Sequence, residues 1–448
     1  MTIHFIGIGG IGVSALAKYY LEKGYQISGS DLISSEITES LKRKGAKILI
    51  GPHKAKNLPQ NVDFIIYSLA ISKNNPELRQ AYQLQKTNPK VQVLSYPQAL
   101  GELTKNYYTI AISGSHGKST TTALLSLILI KAGLDPTVIL GTKLRQLGDN
   151  ELDSNFRLGK SKYLVIEADE WSRSFNFYFP KIVILTNIDK EHLDTYKTYQ
   201  GVKRGFKNYL KNLLPDGILV ANYQDQASRQ IGEELEKEKS LKVVFYAKTK
   251  FKKHPLLIPG FYNQINAEGA WQAWKIIAQL EKIKLKKAKK ITSFVFGNYQ
   301  GAWRRLEQLS SVFYPSATIY SDYAHHPTEI KVTLSALREK YPFKKIVCIF
   351  QPHQQRRFNS LFKDFIFAFK EVDKLVLLPV YRAVGRDTKT GPSSFDLVQK
   401  IKRYQKEVYY FPNFSSIFKK IKNDFQDSSV IIFMGAGNLD SQIRKFLF

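Results

Sequence analysis

Cysteine is almost absent: Cys348 is the single one among 448 residues. A disulfide framework is therefore excluded, and the composition fits a reducing compartment. No run reaches the roughly 18–20 apolar residues of a bilayer span. The N-terminus enters a strand-like segment, "IHFIGIGG", with no basic n-region and apolar h-region before it. The expectation is a cytoplasmic protein without membrane insertion. Low-complexity tracts and repeats of roughly 20–50 residues are missing too, which excludes solenoids and arrays. Acidic residues are scarce, 38 against 67 Lys plus Arg, for a net charge of +29. Such a balance suggests polyanionic partners. No helix-turn-helix, zinc-finger or RNP-type signature accompanies it, so nucleic acid is not the expected main partner. The lysine-rich segment "EKIKLKKAKKI", 281–291, has Leu and Ile interleaved, as a surface helix would.

What is present is a rhythm. Strand-like runs alternate with amphipathic stretches along the whole chain: "IHFIGIG", "VDFIIYS", "KYLVIEAD", "KIVILTNID", "GILVANY", "KIVCIFQ", "KLVLLPV" and "SVIIFMGAG". This is the βαβ pattern of parallel sheets with helices on both faces, in which function collects at the carboxyl ends of strands. The length requires more than one core. Breaks near "ELTKNYY", 102–108, and "FGNYQGAWRRLE", 296–307, suggest three α/β domains.

Two glycine turns stand out. The first, Gly7-Ile8-Gly9-Gly10-Ile11-Gly12, lies between a strand and a helix, with Asp31 after the following strand. This is a dinucleotide fingerprint, but physically it says only that a diphosphate can sit on a helix N-terminus beside a ribose. A nucleotide-sugar diphosphate fits as well as NAD. The second, Gly114-Ser115-His116-Gly117-Lys118-Ser119-Thr120, lies between the strand-like "YYTIAI" and the helix-like "TTALLSLILIKAG". Glycines let backbone N–H groups approach a phosphate, and the helix N-terminus adds partial positive charge. Lys118 can reach the β- and γ-phosphates, and the Ser119 hydroxyl can ligate Mg²⁺. The standard phosphate-loop pattern, however, has a glycine where this chain has Ile112.

Carboxylates follow the next strands. Glu167 and Glu170 end "KYLVIEADE", and His192 follows "KIVILTNID". Together with Ser119, Glu167 and His192 can hold Mg²⁺; because this ion prefers oxygen, His192 can also act through water. Cys348, inside the apolar run "IVCIF", reads as core and not as a nucleophile.

The blocks "FIGIGGIGVSALA", "SGSD", "GSHGKSTTT", "EADE", "SFNFYFPKIVILTNIDKEHLD", "YAHHPTEI", "FQPH" and "MGAGN" follow in an order that resembles the Mur ligases across essentially the whole chain. That family's loop looks like G-[TS]-x-G-K-[TS]-T, so Ile112 agrees with it. The resemblance implies three domains. A Rossmann-like domain over 1–106 takes the UDP-sugar, a central P-loop ATPase-like domain over 107–300 takes ATP, and a Rossmann-like C-terminal domain over 301–448 closes over ATP and the amino acid. It implies ATP and Mg²⁺ as cofactors and UDP-N-acetylmuramate and L-alanine as substrates, joined through an acyl phosphate in peptidoglycan precursor synthesis. "YAHHPTEI" and "FQPH" point to that member of the family. Carried over by motif, Gly7, Gly9, Gly10, Gly12, Asp31 and Ser68 meet the UDP-sugar. Gly114 to Thr120 meet the ATP phosphates, Asn263 the adenine, Arg305 a phosphate and Asp322 the ribose. His325 or His326 lies near the transferring phosphoryl group, and Arg357 faces the substrate carboxylate.

The chain also departs from the family pattern. "DESDGSF" is "DEWSRSF" here, with Trp171, Ser172 and Arg173; "GRHN" is Gly260-Phe261-Tyr262-Asn263; "FQPHRYTRT" is "FQPHQQRRF", with Gln354 in place of an arginine; "YPAGE" is "YRAVGRD". These changes lie mainly near the expected acceptor and carboxylate sites. They leave open a related ligase that adds another amino acid or a peptide. A nicotinamide oxidoreductase, suggested by the first turn alone, leaves Lys118, Glu167 and His192 unused. A nucleic-acid-stimulated ATPase is the other rival.

Overall fold

In a computed structural model, residues 1–147, 154–238, 241–247, 254–311, 314, 316–382, 387, 390–421 and 429–447 are described. The apolar runs become the inner strands of three sheets. These divide between two compact units, Met1–Pro255 with Ile265–Asn298, and Leu256–Gln264 with Tyr299–Phe448.

The first unit holds two sheets. Strands β1 (Thr2–Ile6), β2 (Gln26–Asp31), β3 (Lys47–Ile50), β4 (Phe64–Tyr67) and β5 (Gln92–Ser95) form a sheet in the order β3-β2-β1-β4-β5. All its pairings are parallel. The order reverses at β1, so the crevice at its carboxyl end is the expected ligand position for this topology. Strands β6 (Tyr108–Ser113), β7 (Thr137–Leu144), β8 (Ser154–Arg157), β9 (Tyr163–Ala168), β10 (Ile182–Leu185), β11 (Ile218–Asn222) and β12 (Lys242–Tyr246) form the second sheet, ordered β12-β11-β10-β6-β9-β7-β8. Among the described residues, only its β7–β8 pairing is antiparallel. Helix Lys118–Lys131 follows β6 and is apolar on nearly every side, because Thr121, Ala123, Leu124, Leu125, Ile128 and Leu129 are all buried.

The second unit holds β13 (Glu307–Leu309), β14 (Thr318–Asp322), β15 (Lys345–Phe350), β16 (Lys374–Leu377), β17 (Val408–Tyr410) and β18 (Ser429–Met434), ordered β13-β14-β18-β15-β16-β17. The edge strand β13 runs antiparallel to β14. Cys348 on β15 is fully buried, and burial pushes its thiol well above the ordinary range. Helix Pro327–Lys340 opens with a capping box: His326 accepts from the backbone of Thr328, and Glu329 reaches back to His326. Among the described residues, no helix is long and apolar enough to cross a membrane.

Candidate active site

The phosphate loop grows from strand register. On β6, Ile112 pairs with Glu167 of β9, and Ser113 pairs with Leu185 of β10. The loop 114–117 therefore leaves the sheet between the ends of its two neighbouring strands. Gly114 has φ +135° and Gly117 has φ +84°, both in the region that favours glycine. Space is as restrictive as torsion: a Cβ on Gly114 would strike the Thr186 hydroxyl, and one on Gly117 would strike the Asn266 side chain. The loop is laced to the segment after β10. Ser115 N–H donates to the Asn187 carbonyl at 2.9 Å, and His116 N–H donates to Asn187 Oδ1 at 2.9 Å. The Ser115 hydroxyl accepts from Asp189 N–H at 2.9 Å, and His116 Nε2 lies 3.0 Å from Asp189 Oδ2. Thr120 is buried in the first helical turn.

Charge collects at this loop. Lys118 Nζ donates to Glu170 Oε2 at 2.7 Å and to the Gly114 carbonyl at 2.5 Å. Burial by itself would lower the lysine pKa, but Glu170 and Asp169 overcome it and hold the ammonium well above its ordinary value. Burial raises the Glu170 carboxyl, with Lys118 acting against it. The Ser119 hydroxyl donates to Glu167 Oε2 at 3.0 Å, while Glu167 Oε1 accepts from Gly141 N–H at 2.8 Å.

The three residues expected to hold metal, Ser119, Glu167 and His192, do not form one cluster. Ser119 sits with Glu167, and His192 sits with Glu170, its Nε2 3.8 Å from Glu170 Oε1. Asp169, Glu170 and His192 bring ligand atoms within 4.8 Å of one another. Glu170 Oε1 is buried without a hydrogen-bond partner. A buried carboxylate oxygen left in that state is unfavourable unless a cation takes it up. Hard oxygens from Ser119, Glu167 and Glu170 suit Mg²⁺. A metal role for Glu170 is not legible in the sequence, because its pairing with Lys118 and His192 is made only by the fold.

At the first glycine turn, Gly7 has φ +79° and packs against Ser68, whose Cβ lies 3.1 Å from where a Cβ on Gly7 would be. Asp31 Oδ2 accepts from Gly9 N–H at 2.8 Å, so its carboxylate also holds the turn. Tyr96 closes on Gly12, with its hydroxyl 2.8 Å from where a Cβ would stand. Gly10 caps the helix that follows, Ile11–Glu22.

In the second unit, the expected residues gather at the carboxyl edge of β14, β15 and β18. Asp322 is buried and accepts from Leu306 N–H at 2.7 Å and Ala324 N–H at 2.8 Å, while burial raises its pKa to about 6. Arg305 lies over the Tyr323 ring, with Nη1 3.9 Å from Glu329. The adjacent Arg304, which motif reading passed over, is buried, and its guanidinium donates to the carbonyls of Gly435 and Gly437. The neighbouring histidines are set in opposite tautomers. His325 Nδ1 faces the Tyr323 carbonyl at 2.9 Å, and a carbonyl can only accept, so neutral His325 carries its proton on Nδ1. His326 Nδ1 accepts from Thr328 N–H at 3.2 Å, so neutral His326 carries its proton on Nε2. Asn263 donates to the Pro259 carbonyl at 2.7 Å. Arg357 lies on helix Gln355–Ser360, whose first N–H groups donate to Asp387. Gln354 adopts φ +66° before it. Of "YRAVGRD", residues 383–386 lie outside the described residues.

Three family models match in succession: "Mur ligase family, catalytic domain" over 2–108, "Mur ligase middle domain" over 112–297 and "Mur ligase, glutamate ligase domain" over 304–437. The UDP-N-acetylmuramate–L-alanine ligase of Aquifex aeolicus is 36% identical, covering 99% of this chain and 96% of its own length. That of Hydrogenobaculum sp. is 38% identical, covering 99% and 97%. Among solved structures, the UDP-N-acetylmuramate–alanine ligase of Thermotoga maritima superposes with a TM-score of 0.80 at 24% identity, over 100% of this chain and 98% of that one. A murein peptide ligase of Psychrobacter arcticus gives 0.70 at 20% identity, over 100% and 98%. At these identities the structural likenesses speak for the fold.

Proposed function

The chain belongs to the Mur ligase family, and from that premise we propose that it joins L-alanine to the carboxylate of UDP-N-acetylmuramate, using ATP, in cytoplasmic peptidoglycan precursor synthesis. The curated relatives that carry this activity in their names cover nearly the whole chain. The observation that carries the chemistry is the phosphate loop, with Lys118 held between Gly114 and Glu170 and Ser119 held by Glu167. Residues 1–106 take the UDP-sugar through Gly7, Gly9, Gly10, Gly12, Asp31 and Ser68. Residues 107–300 bind the ATP phosphates through Gly114 to Thr120. Residues 301–448 bring Arg305, Asp322, His325, His326 and Arg357, with Asn263 serving the adenine.

A carboxylate is a poor electrophile until one of its oxygens is phosphorylated. The muramoyl carboxylate attacks the γ-phosphorus of ATP, ADP leaves, and the alanine amine then adds to the acyl carbon and expels phosphate. Lys118 and the loop N–H groups offset the charge on the transferring phosphoryl group. Ser119, Glu167 and the Glu170–His192 pair would hold Mg²⁺, which would add charge neutralisation at the phosphates. The histidine tautomers support a division of labour. Nε2 of His325 is the basic nitrogen that takes a proton from the alanine amine. Nε2–H of His326 donates to the oxygen that becomes anionic as the amine adds. Arg357 orients the substrate carboxylate.

Phosphate release measured with UDP-N-acetylmuramate and each amino acid in turn tests the reading. L-Alanine should give the highest kcat/KM. A higher value for another amino acid would move the acceptor assignment and leave the reaction class in place. Release that needs no UDP-sugar would remove both.

A further inference from the structure

The substituted loop "DEWSRSF" has a consequence outside the phosphate site. Two successive non-glycine residues in it, Ser172 and Arg173, take left-handed torsions with φ +53° and +58°. Such strain persists only where the surroundings fix it, and it aims the Arg173 side chain. The guanidinium lies 5.9 Å from the Tyr196 ring centre, at the wall of a cavity of about 280 Å³. The lining also includes one face of helix Tyr199–Leu210, where Gly201, Arg204, Gly205 and Asn208 follow helical spacing. The two glycines let that face close on Tyr196, because a Cβ on Gly201 would strike its carbonyl and one on Gly205 its ring. Asn176 adds an amide to the lining, and its Oδ1 is buried without a partner. A half-turn of that amide presents NH₂ instead. Among the described residues, neither Arg173 nor Arg204 has an acidic partner. Two guanidiniums and two amides around one small cavity form a site for an oxyanion.

We propose that Arg173 and Arg204, with Asn176 and Asn208, bind the phosphate or carboxylate head of a small molecule. The volume is near the lower end of small-ligand pockets, about 300 Å³. The site uses none of the residues assigned to ATP or to the UDP-sugar. It is joined to the phosphate site through the Glu170 carbonyl, which accepts from the Tyr196 hydroxyl at 2.7 Å and from the Arg173 N–H at 2.9 Å.

The test is titration of inorganic phosphate into the full chain holding a non-hydrolysable ATP analogue, followed by heat flow at low salt. Arg204→Ala and Arg173→Gly should each weaken one binding event by about tenfold or more. Arg173→Gly also relieves the left-handed torsion, so its melting temperature should equal or exceed that of the parent, which separates lost binding from lost folding. Unchanged phosphate affinity in both variants would overturn the proposal, whatever the amino-acid specificity proves to be. Repeating the titration with UDP-N-acetylmuramate present identifies the source of the head. Competition assigns it to the sugar nucleotide itself, and additive binding assigns it to a separate small anion.

Discussion

Lys118 is held between the Glu170 carboxylate and the Gly114 carbonyl, with its ammonium at the mouth of the phosphate loop. Its place after Gly117 was readable from the motif because a phosphate loop is a local object: strand, glycine turn, lysine, helix. Its partner was not, since Glu170 reaches it only through the alignment of β6 with β9. The same holds for Asn266, which closes on Gly117 from a distant stretch of the chain, and for the opposed tautomers of His325 and His326, which depend on backbone partners. Lys118→Ala should lower turnover on the order of 10²-fold or more at saturating ATP, with the fold intact. Steady-state kinetics beside a circular dichroism spectrum would check this, and near-normal turnover would refute the assignment. Glu170→Gln keeps the shape but removes the charge between Lys118 and His192. We expect it to raise the Mg²⁺ concentration needed for half-maximal activity. An unchanged Mg²⁺ dependence would put the metal elsewhere.

Among elements, the strongly apolar runs were legible and became inner strands, such as β1, β10, β15 and β18. The strands less marked in the sequence lie at edges. β3 is largely exposed along Lys47–Ile50, and the short β8 and β13 pair antiparallel at the ends of their sheets. The turn between β6 and its helix needs glycine for two independent reasons, torsion and the Asn266 contact. Gly117→Ala should therefore destabilise by about 1–2 kcal/mol from the backbone alone, and it should weaken ATP binding further by displacing Asn266. Chemical denaturation and nucleotide titration would separate the two effects.

Across the molecule, burial patterns set pH behaviour as well as shape. Glu77 is fully buried in the first sheet's unit, where it faces His4 at 2.6 Å, His53 at 2.8 Å, Ser30 at 2.8 Å and Asn57 at 3.3 Å. Burial alone would raise its pKa, but the hydrogen bonds from both histidines reverse this and bring it to about 2. A carboxyl depressed on folding stabilises above its unfolded value, roughly 4.3. That contribution is lost as pH falls toward about 2. The shift corresponds to about 3 kcal/mol. Urea unfolding at pH 5 and pH 3 should show a steep loss in the parent chain and a shallower one in Glu77→Gln. Parallel losses would show that this carboxyl does not govern the acid limb.

The central claim is that activation happens on the substrate, through an acyl phosphate, and not on the protein. The most direct measurement labels the muramoyl carboxylate with ¹⁸O and follows the label through one turnover with ATP and L-alanine. One labelled oxygen should appear in the released phosphate, because the carboxylate oxygen that attacks the γ-phosphorus leaves with it when the amine adds. Unlabelled phosphate, with the second labelled oxygen found in AMP or in solvent water, would contradict the account.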